Sequence, residues 1–162
     1  MGAVRRRPGG AAGAPLISRA TGGDVGALRE LFREYAAWLG PEGWFGDLEA
    51  ELAALPGGYE AILLARDGEE AVGCVALRSL EDGACEMKRL YVRPAARGSG
   101  AGRALAGAIV DEARRLGHRT MRLDTLPTMG AAQALYRSLG FVESERYNDN
   151  PVPGVLYFEL AL

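Results

Sequence analysis

The sequence predicts an α+β fold, in which two helices and a meander of strands are followed by two strand–helix units. Apolar residues recur three and four positions apart near the start, as in helices that bury one face. Strand-like runs separated by Gly-containing turn signals come next, and a glycine-rich loop then joins a strand to a helix. The length of 162 residues is enough for one domain with its own core.

The first elements are a short strand and two helices. A strand is predicted over 16–20, and a second, shorter helix is predicted over 47–55. Gly40 and Pro41 end the first helix. The apolar face of that first helix consists of Val25, Leu28, Phe32, Tyr35 and Leu39.

The strand meander follows these helices. Strands are predicted over 59–65 and 70–77, and Asp67-Gly68 is a hairpin turn signal between them. A third strand over 84–92 leads into the glycine-rich loop. The remaining predicted elements are a helix from about 102 to 116, a strand over 121–125, a helix over 131–139 and strands over 141–145 and 155–160.

The glycine-rich loop is the most informative segment of the chain. Gly98, Gly100 and Gly102 leave backbone amides uncovered at the start of a helix, where the dipole is positive. Arg97 and Arg103 add fixed positive charge on either side. The segment therefore predicts an anion site suited to a diphosphate. Its spacing matches neither a Walker loop nor the G-x-G-x-x-G fingerprint of dinucleotide-binding folds.

Two segments together resemble the GNAT N-acetyltransferase superfamily. Leu90-Tyr91-Val92-Arg93-Pro94 followed by Arg97-Gly98-Ser99-Gly100-Ala101-Gly102 is similar to its acetyl-CoA signature. The run from Ala132 to Phe141 is similar to its A-x-x-L-Y-x-x-x-G-F segment. The resemblance covers roughly residues 16–162. Two positions depart from the family pattern: Met129 stands where many members carry Asn, and Ala101 replaces a larger apolar residue.

The resemblance implies a layered fold and a cofactor. The expected sheet is mixed but mostly antiparallel, with six to seven strands and about four helices. Its fourth and fifth strands, here 84–92 and 120–125, splay apart and expose backbone groups to the pantetheine arm. The expected cofactor is acetyl-CoA, without a metal, and the residues implied to bind it are Leu90, Tyr91, Val92, Arg97, Gly98, Ser99, Gly100, Ala101, Gly102, Arg103, Gln133 and Tyr136.

Tyr136 and Glu86 are the candidate catalytic residues. The family's Tyr points toward the CoA sulfur, so Tyr136 is implied to be the general acid or a hydrogen-bond donor to that sulfur. Glu86 is a carboxylate in an otherwise apolar strand start, and relatives often use an acid there as the base. Asp124 or a water molecule is the alternative base. In a purely structural reading, Tyr136 packs on the sheet and Glu86 pairs with Lys88.

The acceptor site is expected between the first two helices and the late polar loop over 147–153. The residues predicted to line it are Arg33, Tyr35, Asp124, Tyr147 and Asn150, with Arg29, Trp38, Trp44 and Asn148 nearby. An arginine there suits an acceptor that carries a carboxylate, such as an amino acid.

Composition narrows the remaining classes. A net charge of −2 argues against nucleic-acid binding, and no apolar run approaches the roughly 20 residues of a membrane span. One His and two Cys make no convincing zinc set, and Cys74 and Cys85 read as buried thiols of a cytoplasmic protein. Residues 1–15, rich in Gly, Ala, Arg and Pro, are predicted to be a disordered leader before a single domain over 16–162.

The sequence therefore predicts a cytoplasmic, acetyl-CoA-dependent N-acetyltransferase that acts on a small amine. Direct attack in a ternary complex is expected, because no Cys or Ser has a base partner for an acyl-enzyme. Two alternatives stay open: a non-catalytic CoA-sensing module, and an enzyme that acetylates peptide or protein N-termini. Relatives commonly form homodimers through their last strands, so the resemblance also implies a homodimer as one arrangement.

Overall fold

The structure is a computed structural model that describes residues 14–41 and 43–162. The leader predicted over 1–15 lies outside the described residues, except for Ala14 and Pro15. The strands are β1 Leu16–Arg19, β2 Ala61–Asp67, β3 Glu70–Ser79, β4 Ala84–Val92, β5 Thr120–Thr125, β6 Val142–Ser144 and β7 Leu156–Ala161. The α-helices are α1 Val25–Leu39, α2 Leu48–Ala54, α3 Ala101–Arg115 and α4 Gly130–Ser138.

The strands form one seven-stranded sheet in the order β1-β2-β3-β4-β5-β7-β6. All strand pairs of the described residues are antiparallel except β4–β5, which is parallel. The parallel pair is joined through α3, as a crossover connection requires. The expected mixed, mostly antiparallel sheet with about four helices is therefore confirmed.

Helices cover both faces of the sheet, which is why its central strands read as continuous apolar runs. On β2, Leu63 belongs to the core cluster that contains Leu105 and Ile109 of α3. The neighbouring residue Leu64 points to the other face, into the cluster that contains Leu28 and Phe32 of α1. Alternation along a strand thus assigns successive apolar side chains to two separate cores.

The helix ends follow local signals in the sequence. The backbone N–H of Gly40 donates to the carbonyl of Ala36 at the end of α1. Asp47 precedes α2 as its N-cap, and its side chain accepts from the N–H of Ala50. The helix predicted over 47–55 is therefore shorter by its cap and its last residue. No helix of the described segments has both the length and the apolar character of a membrane span.

Candidate functional site

A gap opens between β4 and β5 at the centre of the sheet. Their parallel pairing consists of Ala84 with Thr120, Cys85 with Met121 and Glu86 with Arg122. Beyond these three pairs β4 continues to Val92, and its edge toward β5 has no strand partner in the described segments. The predicted splay is confirmed, and it leaves backbone hydrogen-bonding groups exposed in the middle of the sheet.

The glycine-rich loop lies between the end of β4 and the start of α3. Gly98 and Gly100 have φ angles of +82° and +87°, which L side chains rarely adopt, and Gly100 is the N-cap of α3. A Cβ atom at either position would contact nothing within 4 Å. Within the described residues, no hydrogen bond is donated by the backbone amides of Gly98, Gly100, Gly102 and Arg103. Four free donors at a positive helix end fit a diphosphate.

The charged and polar side chains of this loop are turned onto neighbouring elements. Arg97 Nε donates to the Val92 carbonyl at 3.1 Å, and its guanidinium lies 4.9 Å from the ring centroid of Trp38. Arg103 donates to the Ser138 hydroxyl at 2.9 Å. The Ser99 hydroxyl donates to the carbonyl of Ala96 at 2.5 Å. The structure therefore keeps these residues around the loop, while the free donors are backbone groups.

Gln133, implied to bind the cofactor, stabilises the connection between β5 and α4. Its side-chain amide donates to the carbonyl of Leu126 at 3.0 Å and to that of Pro127 at 3.3 Å. Met129, which stands at the family's Asn position, lies before α4 and lines the cleft at the β4–β5 gap. The thioether of Met129 therefore stands in the cleft wall where many family members have the side-chain amide of Asn.

A β-bulge bends β4 where it leaves β5. On β3, Cys74 and Ala76 are two positions apart, whereas their partners Tyr91 and Lys88 are three apart on β4. The extra residue falls next to Arg89, whose φ of +59° is unusual for a residue with a side chain. The Cys74 thiol donates to the Arg89 carbonyl at 3.3 Å and helps to hold this conformation.

The Arg89 side chain fastens the bulge to α2. Its Nη2 and Nε donate to the two carboxylate oxygens of Glu51 at 2.8 and 3.0 Å. The guanidinium also lies 3.6 Å from the ring centroid of Phe45, and the Tyr59 hydroxyl donates to Glu51. Burial opposes ionisation of Glu51, but the hydrogen bonds from Arg89 and Tyr59 outweigh it and hold its pKa below the ordinary value of 4.5.

A small cleft with a cavity volume of 60 Å³ lies at the β4–β5 gap. Asp124 on β5 faces it, and its carboxylate accepts hydrogen bonds from Asn148 at 2.7 Å and Asn150 at 3.2 Å. These two amides belong to the late polar loop, so the loop closes one side of the cleft. The other lining residues are Tyr35, Leu39, Trp44, Lys88, Arg89, Thr125, Leu126, Met129 and Tyr136.

Two tyrosines bring their rings to this cleft. Tyr136 on α4 is 7% exposed and packs against Phe141 and Phe158, so it is both a core residue and a wall of the cleft. Burial raises the pKa of Tyr136 above its usual value near 10. Tyr35 on α1 stacks on Tyr91 with their ring centroids 5.5 Å apart, and burial raises the pKa of Tyr35 to about 12. Both phenols therefore keep their protons at neutral pH.

Glu86, the predicted base, is 3% exposed and is not among the residues that line this cleft. The Tyr147 hydroxyl donates to it at 2.5 Å, and burial raises the pKa of Tyr147, as does the charge of Glu86. Lys88 lies 3.6 Å and Arg78 3.9 Å from the same carboxylate oxygen. The structure thus places Glu86 behind the cleft, in a cluster with two cations.

The two arginines of α1 lie away from the cleft. Arg33 is an exposed residue whose side chain lies 3.7 Å from Glu49 on α2. Arg29 donates to the carbonyl of Leu52 and joins α1 to α2. Of the predicted acceptor residues, the structure therefore brings Tyr35, Asp124 and Asn150 to the cleft wall and leaves Arg33 and Tyr147 outside it.

Cysteine and histidine add no metal chemistry to the described part of the chain. No group of three or more His, Cys, Asp or Glu side chains there is arranged to hold a metal ion. Cys74 and Cys85 are free and buried, and burial raises the pKa of each thiol to about 12. His118 lies 2.7 Å from Glu60, just beyond the C-terminal end of α3, whereas the glycine loop precedes the N-terminal end of that helix.

Sequence reasoning missed the role of Arg89 and the position of Arg78 beside Glu86, whereas the pairing of Glu86 with Lys88, which the purely structural reading predicted, is present at 3.6 Å. Arg89 carries the positive φ that forms the bulge, and its guanidinium ties that bulge to α2. One signal was present in the sequence: Lys88 and Arg89 are adjacent charges in the middle of a strand that is otherwise mostly apolar. Adjacent charged residues in a central strand indicate either a β-bulge in that strand or a cleft that the charged side chains line.

Comparisons with known proteins agree with this geometry. The model of the Acetyltransferase (GNAT) family matches residues 25–141. An uncharacterised N-acetyltransferase of Schizosaccharomyces pombe is 39% identical over 145 residues, which cover 86% of this chain and 89% of that protein.

Two solved structures have the same fold. A candidate acyl-CoA N-acyltransferase of Klebsiella pneumoniae is 30% identical, with a TM-score of 0.75, over 91% of this chain and 97% of that one. A candidate acetyltransferase of Salmonella typhimurium, solved with its cofactor acetyl-CoA, is 25% identical, with a TM-score of 0.73. The match covers 91% of this chain and 94% of that one. Together with the splayed sheet and the glycine loop, these matches show that the chain belongs to the GNAT family of acetyltransferases.

Proposed function

We propose that this protein transfers an acetyl group from acetyl-CoA to the primary amine of a small molecule, by direct attack in a ternary complex. The observation that carries the proposal is the continuity of the site. Four free amides at the start of α3 lead along the unpaired edge of β4 to the cleft that Asp124 and Tyr136 line.

The residues around the glycine loop and β4 fit the cofactor. The amides of Gly98, Gly100, Gly102 and Arg103 would hold the diphosphate, and the backbone of residues 90–92 would bond the pantetheine arm. Acetyl-CoA, when bound, supplies the thioester acetyl group and leaves as the CoA thiolate. Arg97 and Arg103 add positive charge beside the loop, where it favours phosphate groups.

On the acceptor side, Asp124 would take the proton that the amine loses. Its carboxylate lines the cleft, and Asn148 and Asn150 fix its orientation without neutralising it. Glu86 stays a predicted base, reaching the cleft only through neighbouring groups, because Tyr147 already donates to its carboxylate.

Tyr136 would stabilise the leaving sulfur. Because burial raises its pKa above 10, the hydroxyl holds its proton through the reaction and donates a hydrogen bond. Full proton transfer to a thiolate, whose conjugate acid has a pKa of roughly 8.5, would be uphill. We therefore assign Tyr136 a hydrogen-bonding role at the sulfur and leave net protonation to solvent.

The late polar loop favours a small acceptor over a protein terminus. The loop over 147–153 lies against the cleft through the hydrogen bonds of Asn148 and Asn150 with Asp124. A peptide would need an open groove at this point. The same proposal treats residues 16–162 as one catalytic domain in the cytoplasm. It also includes a homodimer formed through the edge strand β6, and analytical ultracentrifugation would test that oligomeric state.

The decisive experiment combines acetyl-CoA, the purified protein and a panel of amines, with release of free thiol as the readout. We expect release with at least one small amine, and calorimetric binding of CoA without any amine. Binding of CoA with no thiol release from small amines or peptides would favour the CoA-sensing module. Release with peptides alone would favour an N-terminal acetyltransferase.

A further inference from the structure

Lys88 is a cation without enough protein partners. Its side chain lies on β4 two residues after Glu86 and is 14% exposed. The one ion pair of its ammonium group within the described residues is with Glu86, at 3.6 Å, which is beyond hydrogen-bond distance. An ammonium group has three donors, and leaving them unpaired in a partly buried site is costly.

The neighbouring carboxylates are already committed to other donors. Glu86 accepts the Tyr147 hydroxyl and is shared with Arg78, whose guanidinium lies 3.9 Å away. Glu51 is held by two hydrogen bonds from Arg89. Asp47 caps α2 through the amide of Ala50 at 3.1 Å. The cations Lys88 and Arg78 thus share one buried carboxylate, and both residues line the adjoining cleft.

Lys88 stands at the junction of two cavities. It lines the 60 Å³ cleft that contains Asp124 and Tyr136. It also lines a cleft of 310 Å³ that contains Arg78 and the aromatic rings of Trp44, Phe45 and Tyr59. One ligand that spans both clefts would meet Asp124 in the smaller cleft, Arg78 in the larger cleft and Lys88 between them.

We propose that Lys88 and Arg78 bind a carboxylate of the acceptor, so that the substrate class is amines that carry a carboxylate, as amino acids do. This inference rests on the proposed transfer to a small amine and adds the recognition of its anionic group. The opposite charges at the two ends orient the acceptor: its ammonium faces Asp124, where it must lose a proton, and its carboxylate faces the cations. The aromatic rings of the larger cleft leave room for an apolar side chain.

The first test uses matched acceptors with the unaltered protein. Phenylalanine is compared with 2-phenylethylamine, which lacks the carboxylate, and with its aminophosphonate analogue, in thiol-release assays that give kcat/KM. We expect the carboxylate to raise kcat/KM by about tenfold or more, as charge-assisted hydrogen bonds do. Equal or faster use of phenylethylamine overturns the carboxylate site, and faster use of the phosphonate overturns the choice of anion.

The second test removes the cation. Lys88→Gln is expected to lower kcat/KM for the carboxylate-bearing amine by about tenfold more than kcat/KM for 2-phenylethylamine. Lys88→Arg keeps the charge and should retain most of the preference. Arg114→Gln, on the exposed face of α3 beside Asp111, controls for the loss of one positive charge. A uniform loss with both acceptors in Lys88→Gln would mean that Lys88 only supports Glu86.

Inhibition supplies a further readout, with compounds that carry no amine and are not themselves acetylated. 3-Phenylpropionate should compete with the acceptor, whereas 3-phenylpropanol should compete at least about tenfold more weakly. Equal inhibition by the two compounds contradicts the carboxylate site. Absence of thiol release with every amine, in contrast, contradicts the proposed function itself, so the two failures are distinguishable.

Discussion

The cofactor side and the acceptor side of the cleft are built in different ways. On the cofactor side, one short segment, 98–103, contributes free backbone amides whose directions follow from two positive φ angles and a helix start. On the acceptor side, side chains from β3, β4, β5 and the loop over 147–153 converge. The first side depends on local backbone conformation, whereas the second depends on contacts between distant parts of the chain.

This difference has a consequence for substitutions. A site made of backbone amides tolerates the loss of a nearby side chain but not added bulk over the amides. A site made of converging side chains is sensitive to the chemical identity of each group and less sensitive to small changes in volume. Each substitution below is chosen to separate the two sides.

The largest effect is expected on the acceptor side, from Asp124→Asn. The amide keeps an oxygen that accepts from Asn148 and Asn150, but it cannot take a proton from the acceptor. We expect kcat to fall by about a thousandfold, which is within the range for the loss of a general base, while the Kd for CoA stays unchanged. Steady-state kinetics and calorimetry measure the two quantities separately.

Glu86→Gln is the matched comparison for Asp124→Asn. It removes the charge of the other candidate base while keeping the acceptor for the Tyr147 hydroxyl. A much smaller fall in kcat than for Asp124→Asn is expected. The reverse ranking would move the base to Glu86, as the sequence alone predicts, and would mean that the proton travels through the cluster behind the cleft.

The next largest effect is expected on the cofactor side, from Gly102→Val. A Cβ at Gly102 would lie 3.9 Å from Val92 and 4.0 Å from Leu135, so an alanine fits and the extra methyl groups of valine would press on these two side chains and displace the loop. We expect Gly102→Val to raise the Kd for CoA by about a hundredfold, as measured by calorimetry. Gly100 is a poorer probe, because its φ of +87° would strain any side chain.

Gly102→Ala is the control for bulk at this position. Alanine is the better helix former and should raise the free energy of unfolding by about 0.5–1 kcal/mol, with little change in CoA binding. If the alanine and valine variants bound CoA equally well, the amides of this loop would not be the diphosphate site.

How much the sequence could predict follows the same division. The glycine spacing, the helix start and the strand before it are local signals, so the loop, the α+β order and the β4–β5 splay were predicted, the splay through the family resemblance. Asp124 and Asn150 were predicted for the acceptor side, but their direct hydrogen bond was not, because they are 26 residues apart in the chain.

The residues that sequence reasoning placed differently show why the acceptor side is harder to predict. Arg33 was expected at the acceptor because of its residue type, yet its position on the outer face of α1 directs it to Glu49. Arg89 was not considered, because a bulge in β4 depends on its register with β3. Register and bulges are tertiary features, and the local residue pattern records them only weakly.

Glu51→Gln tests whether the acceptor side is rigid because α2 is tied to the bulge. Removing the charge leaves Arg89 partly buried without its carboxylate, which should lower the free energy of unfolding by about 2 kcal/mol at pH 7. Because the folded-state pKa of Glu51 lies below 4.5, its contribution is full above that pH and is lost as the pH falls through the folded-state value.

Denaturant unfolding at pH 7 and at several lower pH values measures this contribution. The difference in stability between the wild type and Glu51→Gln should shrink below about pH 4.5. Glu49→Gln, on the same helix but with an exposed side chain, should change stability by less than about 0.5 kcal/mol at either pH. A difference that persists unchanged in acid would show that packing, and not the ion pair, holds the bulge.

The smallest effect is expected from Tyr136→Phe, at the point where the two sides meet. The ring keeps its packing against Phe141 and Phe158, so stability should be preserved, while loss of the hydroxyl lowers kcat by about tenfold. Because the pKa of Tyr136 is raised above 10, the wild-type kcat/KM should rise as the acceptor amine deprotonates and should not fall again below pH 10. The variant should keep the same profile at a lower level. A descending limb below pH 10 that disappears in Tyr136→Phe would instead make Tyr136 a titrating general acid, with a pKa lowered by the bound cofactor.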